Sequence, residues 1–374
     1  MDVEIKNFIK VWSVAIVSQF YCYFVVSRIQ NGLARLLSIL PIIYLFITLP
    51  FTFSLNSCHL VAVTVFYLVW LSNFKLLLFS FNKGPLSSHP PLSLPHFVAI
   101  SLLPIKNKND DSSSSHSSSN AQNGLKKSHP ASQKITPEIL RKRRLYKFCR
   151  FLVKLIILLL VFLSLYNYRS HLHPHFMMAL YCCHMYLIVE FLLTITTLPV
   201  RALLGIEISR QFYEPYLSTS LQDFWGRRWN LVVTSILRQT IYNPIRNIFK
   251  PILGRNWSVA LATLATFSIS GLMHEVLYYY LLREYPTWEV TWFFVLQGIC
   301  VTCEIYVKRA VAGRWRWHKA VSRLLTVGFV GVTSGWLFFP PLVRYGLDLK
   351  AIEEYYVFLS FVRNSLRFPI PLNL

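Results

Sequence analysis

The sequence predicts an all-α fold: a polytopic transmembrane helical bundle of about eight to nine spans, with cytosolic amphipathic helices. Three observations predict it. Of 374 residues, 54% are hydrophobic and only 14% charged, with a mean hydropathy of +0.44, whereas soluble domains carry about 25% charged residues. Apolar windows of the length needed to cross a bilayer recur along the chain. The net charge of +22 cannot be spread through hydrocarbon, so it must concentrate in loops, and loops rich in Lys and Arg face the cytosol. A pI near 9.8 in a water-soluble chain would suggest nucleic acid as a partner. The apolar windows exclude that reading and make membrane lipids the surroundings.

The windows lie near 8–27, 33–55, 59–81, 148–166, 176–200, 257–282, 288–308 and 323–343, with a shorter one near 355–370. The first runs from Phe8 past Tyr23 without a small-residue cleavage pattern, so it is expected to be a retained signal anchor. Taken alternately, the connecting loops separate by charge. Arg28 with Arg35, Lys83 to Arg150, Arg201 to Arg255 and Lys308 to Arg323 are basic, and the intervening loops are poor in Lys and Arg. That alternation puts the N-terminus in the lumen and the basic loops in the cytosol.

Composition divides the chain into residues 1–104 with the N-terminal spans, 105–147 as a linker, and 148–374 as a core of spans and polar segments. The run NDDSSSSHSSSNAQNGLKKSHPASQK buries too little apolar surface to offset ordering entropy, and is expected to be a disordered cytosolic linker. It leads into RKRRLYKFCR, a juxtamembrane basic cluster suited to anionic headgroups. The seven Cys are scattered among apolar windows and form no disulfide framework; Cys300 and Cys303, in C-x-x-C spacing, read as packing residues. His171, His173 and His175 share a short loop with no Cys or carboxylate close in sequence, so they read as a polar loop and no metal is expected. Asn256-Trp257-Ser258 matches the glycosylation pattern but sits on the basic side beside a span, where it is expected to stay unused.

Between Arg201 and Arg255 apolar and basic residues interleave, with breaks at Pro215, Pro244 and Pro251. Basic amphipathic segments of this kind lie in the interface or dip inward. Within it, STSLQDFWGRRWN (218–230) gathers an acid, two Arg, two Trp and an amide. Read as α-helix, it puts Trp225 with Trp229, Asp223 with Arg227, and Gly226 with Asn230 on shared faces. Downstream, SGLMHEVLYYYLL carries His274 inside an apolar window. An ionisable group there is a functional-site hypothesis by default. The competing reading is a packed His bonded to a neighbouring carbonyl.

Taken together, STSLQDFWGRRWN and SGLMHE, with the upstream NFKLLLFSFNKGPL and RALLGIEISRQFYEPYL, resemble the membrane-bound O-acyltransferase superfamily. Within it, the likeness is to the plant wax synthase branch and the allied plant acyl-CoA sterol acyltransferases, over nearly the whole chain outside the Ser-rich linker. The resemblance implies that Asn230 and His274 are the catalytic pair. It implies transfer of a fatty acyl group from acyl-CoA, as co-substrate, to the hydroxyl of a long-chain fatty alcohol, giving a wax ester and free CoA without any cofactor. A sterol acceptor is the alternative with the same chemistry; a lipid transporter without catalysis is the alternative of another class, and the internal repeats common in transporters are not found. The family also implies a multi-pass protein of the endoplasmic reticulum membrane, whose cytosolic amphipathic helices help enclose an intramembrane reaction chamber.

The residue types suit that chemistry. A neutral imidazole at His274 can take the proton of an attacking alcohol, and the amide of Asn230 can hold the acyl carbonyl as it becomes an oxyanion. Arg227, Arg228 and Arg238, with Arg246, are candidates for the CoA phosphates, against the plainer reading of inside-facing positive charge. Trp225 and Trp229 are candidates for the tunnel wall, and Asp223 is expected to pair with Arg227. Glu275 points about 100° away from His274 around a helix, so Tyr278, one turn on, is the expected orienting partner.

Overall fold

A computed structural model describes residues 2–88, 90–105, 137–169, 171–206, 208–311 and 318–366. The Ser-rich run expected to be disordered lies outside the described residues. The described chain is helical throughout its regular structure: α1 (Asp2–Phe24), α2 (Leu33–Thr48), α3 (Cys58–Ser80), α4 (Leu94–Leu102), α5 (Pro137–Tyr168), α6 (Pro174–Leu204), α7 (Leu221–Asp223), α8 (Leu231–Leu237), α9 (Asn243–Leu282), α10 (Glu289–Val311), α11 (Lys319–Thr333), α12 (Pro340–Arg344) and α13 (Leu347–Leu366).

Among the described residues, eight stretches are long and apolar enough to cross a membrane. Most follow the expected windows. The sixth differs, because helix runs from Leu231 to Leu282, 52 residues, well over twice the length that crosses the hydrocarbon core. Its break is at Gly254, whose φ of 74° and ψ of 174° are not helical. The part before Gly254 is the basic amphipathic segment, and the part after it carries His274 across. The shorter ninth window belongs to α13, which is a helix but not one of the eight.

Side chains sort as a lipid solvent requires. Val17, Leu37, Tyr44, Ile156, Leu160, Leu198 and Val332 are exposed on the outside of the bundle, where hydrocarbon rather than water satisfies them and the backbone bonds only to itself. The innermost span is α3, in which Tyr67, Leu68, Leu71 and Leu76 are fully buried. It also buries Lys75, whose Nζ donates to the Ile100 carbonyl at 2.7 Å and the Leu103 carbonyl at 2.5 Å. Those carbonyls end α4 and have no intrahelical partner, so the ammonium caps the helix from the side.

The helix pair in most extensive contact is α9 with α10, and two glycines set its spacing. A Cβ on Gly271 would stand 2.9 Å from the Thr291 Cα, and one on Gly298 would stand 2.9 Å from the Phe267 Cβ. Small residues at such positions let membrane helices approach closely. Four π-helical segments occur among the described residues: Val65–Ser72 inside α3, Phe224–Arg228 after α7, Arg238–Tyr242 between α8 and α9, and Ser334–Phe338 after α11. Turns with one extra residue are uncommon and concentrate at functional sites.

Candidate active site

All four π segments border a single cavity of about 740 Å³, to which they contribute Phe66 and Trp70, Trp225 and Gly226, Arg238 and Tyr242, and Phe338. A widened turn displaces the side chains after it relative to an α-helix, and these segments bring bulky rings to one space. Asn230 and His274 line the same cavity.

His274 stands on regular α-helix. Its Nδ1 lies 2.7 Å from the carbonyl oxygen of Ser270, one turn earlier. A carbonyl only accepts, so Nδ1 carries the proton and Nε2 is left with its lone pair when the ring is neutral. The ring is clamped by aromatics: Phe294 stacks on it at 4.3 Å between centroids and 28°, Trp70 meets it edge-on at 5.1 Å, and Phe338 lies at 5.8 Å. The partner expected from sequence is not the one found. Tyr278 donates instead to the Phe338 carbonyl at 2.8 Å, one of the carbonyls at the end of a π segment. Glu275 turns away, as expected, and accepts from the Thr291 N–H at 3.2 Å near the start of α10.

Asn230 stands on a joint. The block 218–230 opens as a short α-turn capped by Ser220, whose hydroxyl accepts from the Asp223 N–H. It then widens into the π segment, closed by the Trp229 N–H donating to the Phe224 carbonyl five residues back. Trp229 is extended, and Asn230 adopts φ 35° and ψ 72°. That left-handed conformation is one Asn tolerates better than most residues. From it, the Asn230 Oδ1 accepts from the Val233 N–H at 3.3 Å and caps α8. With Oδ1 so engaged, the amide NH₂ is the end of the side chain free for a substrate.

The π turn also changes the ion pairing. Asp223 Oδ2 accepts from Arg228 Nε at 2.7 Å, not from Arg227, because the extra residue per turn brings i+5 above i. Arg228 further donates to the carbonyls of Tyr213 and Glu214, so it ties the block to the preceding loop rather than facing the cavity. Arg227 is exposed and lies outside the lining. Arg238 and Arg246 do line it, beside Tyr242 and Asn243, and the Nε of Arg246 is buried without a hydrogen-bond partner.

Trp225 and Trp229 come together as the α-helical reading expected, edge to face at 6.1 Å, and both line the cavity. Trp225 is fixed by a chain the sequence reading missed: its Nε1 donates to Gln297 Oε1 at 3.1 Å, and Gln297 Nε2 donates to Thr333 Oγ1 at 2.9 Å. Ser270 was discoverable, lying four residues before His274 on one helix face. Trp70, Gln297 and Phe338 arrive from distant spans, and no local pattern announces them.

An imidazole nitrogen with a free lone pair and an amide NH₂ thus stand on the wall of one aromatic-lined cavity. The sequence profile of the membrane bound O-acyl transferase family matches residues 208–296, the interval that contains both Asn230 and His274. The chain is 47% identical to a long-chain-alcohol O-fatty-acyltransferase of Simmondsia chinensis over 98% of each chain. It is 42% identical to a probable long-chain-alcohol O-fatty-acyltransferase of Arabidopsis thaliana over 97% of this chain and 98% of that one. Against an acyl-CoA–sterol O-acyltransferase of Arabidopsis thaliana the identity is 41%, over 93% of this chain and 94% of that one.

Proposed function

The chain belongs to the membrane bound O-acyl transferase family, and from that premise we propose that this acyltransferase moves a fatty acyl group from acyl-CoA to a long-chain alcohol, with His274 and Asn230 at the reacting centre. One observation carries the site: both side chains line the same cavity, with Nδ1 of His274 held by Ser270 and Oδ1 of Asn230 held by its cap. The alcohol O–H donates to Nε2 of His274. As its oxygen bonds to the thioester carbon, the proton passes to the imidazole and the carbonyl oxygen gains charge beside the Asn230 amide. Collapse of that intermediate breaks the C–S bond, and the departing CoA thiolate recovers the proton from Nε2. Attack is direct, so no Ser or Cys nucleophile takes part.

CoA enters at the end lined by Arg238, Arg246 and Asn243. A phosphate there would satisfy the unpartnered Arg246 Nε. Arg227 and Arg228 are set aside for this role on the positions described above. The charge alternation of the loops supports a cytosolic face for this end, and the endoplasmic reticulum membrane as the compartment fits a cytosolic supply of acyl-CoA.

A sterol acceptor is the second reading, favoured by the sterol acyltransferase among the relatives. Membranes expressing the chain, given labelled acyl-CoA and equal amounts of a long-chain alcohol and a sterol, separate the two. Wax ester is expected as the main product. Steryl ester in excess would reverse the acceptor assignment, and neither product would remove the acyl-transfer proposal altogether.

A further inference from the structure

At the end of the cavity away from the basic segments, two helices crowd one carboxylate oxygen. The thiol of Cys58 lies 2.9 Å from Glu354 Oε2. His59 reaches the same oxygen twice, through Nδ1 at 2.8 Å and through its backbone N–H at 3.0 Å. Sγ of Cys58 and Nδ1 of His59 are themselves 3.5 Å apart. Cys58 and His59 open α3, while Glu354 comes from α13, some 295 residues later. Cys58 and His59 both line the cavity, as do Tyr355 and His184; the Tyr355 ring lies 4.4 Å from that of His59, and its hydroxyl 3.3 Å from Nε2 of His184. The acyl-transfer chemistry uses none of these groups.

We propose that Cys58, His59 and Glu354 form a binding site for a divalent transition metal of the zinc class, with His184 or a water completing the coordination. Thiolate, imidazole and carboxylate are the three donor types that zinc takes in proteins. Tetrahedral bonds of about 2.0–2.3 Å set neighbouring ligand atoms roughly 3.3–3.6 Å apart, and the Sγ to Nδ1 separation of 3.5 Å already has that value. The carboxylate is closer than that to both, so it has to withdraw by about half an ångström to admit the ion. The Cys58 and His59 side chains converge on Oε2 beside the His59 backbone N–H, so an ion would take the place of the two side-chain protons that now fill that space. On binding, the Cys58 thiol proton leaves to solvent and His59 changes to the tautomer protonated on Nε2.

The His59 and Glu354 side chains keep part of their surface, 31% and 19%, which gives an ion access. The metal would staple α13, which is not one of the eight spans, to the head of the most buried one and so close the far end of the chamber.

The test uses the full-length protein purified in detergent, loaded with zinc, desalted and measured by mass spectrometry. Cobalt substitution supplies a spectroscopic readout independent of activity. We expect about one zinc per chain, and a thiolate-to-cobalt charge-transfer band that is absent from Cys58→Ser. Glu354→Gln, whose amide oxygen can still accept from the His59 N–H and hold the helices together, should weaken binding at least tenfold. Should Cys58→Ser not fold, the wild-type cobalt band decides alone. A wild-type protein that retains no zinc or shows no such band would overturn the site and leave a hydrogen-bonded helix cap. So would zinc lost only on replacing His171, His173 and His175 together.

Discussion

His274 and Asn230 face one cavity from backbones of opposite kinds. His274 sits within an uninterrupted α-helical stretch, its Nδ1 bonded to the carbonyl four residues back. Asn230 sits where a π segment ends, in the left-handed region, and caps the helix that follows. The first is held by periodicity and packing. The second is held by a local joint that its own side chain completes. In the roles proposed for them, a base needs only one fixed nitrogen, whereas an oxyanion donor has to be aimed, and a joint with its carbonyl oxygen pinned aims the amide end.

Substitutions can break this contrast in graded ways. The largest effect is expected at His274. His274→Ala removes the proposed base and should lower kcat by about 10²–10⁴, with the protein still inserted, because Phe294 packs on Phe338 and Trp70 on Phe66 around the gap; ester formation and membrane yield measured together check this. Next comes Asn230→Asp, which keeps a capping oxygen and a residue tolerant of the left-handed region but removes the NH₂ donor. About 10²–10³ in kcat should be lost with thermal stability nearly unchanged. If Asn230→Asp instead unfolded the protein and kept its turnover per folded molecule, the joint would be structural only.

Smaller effects probe the frame. Gly271→Ala puts a methyl against the Thr291 backbone and should cost about 1–3 kcal/mol through overpacking, seen as a lower melting temperature and a rise in KM as α9 shifts. Least of all, Arg246→Ala should raise KM for acyl-CoA roughly tenfold, the size of one charge-assisted contact, and reduce its salt dependence. Arg228→Ala should leave that KM alone and lower stability, since Arg228 serves Asp223 and the loop carbonyls. The reverse pattern would return the phosphate role to Arg228.

The bundle was legible because lipid leaves few options: apolar length sets the spans, and alternating loop charge counts them again. The place of His274 on the cavity wall was legible for the same reason, as an ionisable residue in a window that should have none. The pairing of Asp223 was not. The α-helical rule assigns it Arg227, and nothing in FWGRR marks the extra residue that a π turn inserts to deliver Arg228 instead. Tyr278 failed as the partner of His274 for a related reason. Its own helix places it one turn away, but a carbonyl at the end of the Ser334–Phe338 π segment takes its hydroxyl. Lys75 shows the same limit in the fold, since a buried ammonium is explained only by the end of a helix some 25 residues later. Contacts made within one regular helix could be read; those that depend on where a helix widens or stops could not.

The central claim is that His274 and Asn230 work on the same reacting carbonyl. Turnover of labelled acyl-CoA to ester by His274→Ala, by Asn230→Asp and by the double variant tests it most directly. Groups acting as a unit lose little more together than the worse one loses alone, so the double variant should fall within about threefold of His274→Ala. Losses that multiply, or a His274→Ala enzyme with near-normal turnover, would contradict it.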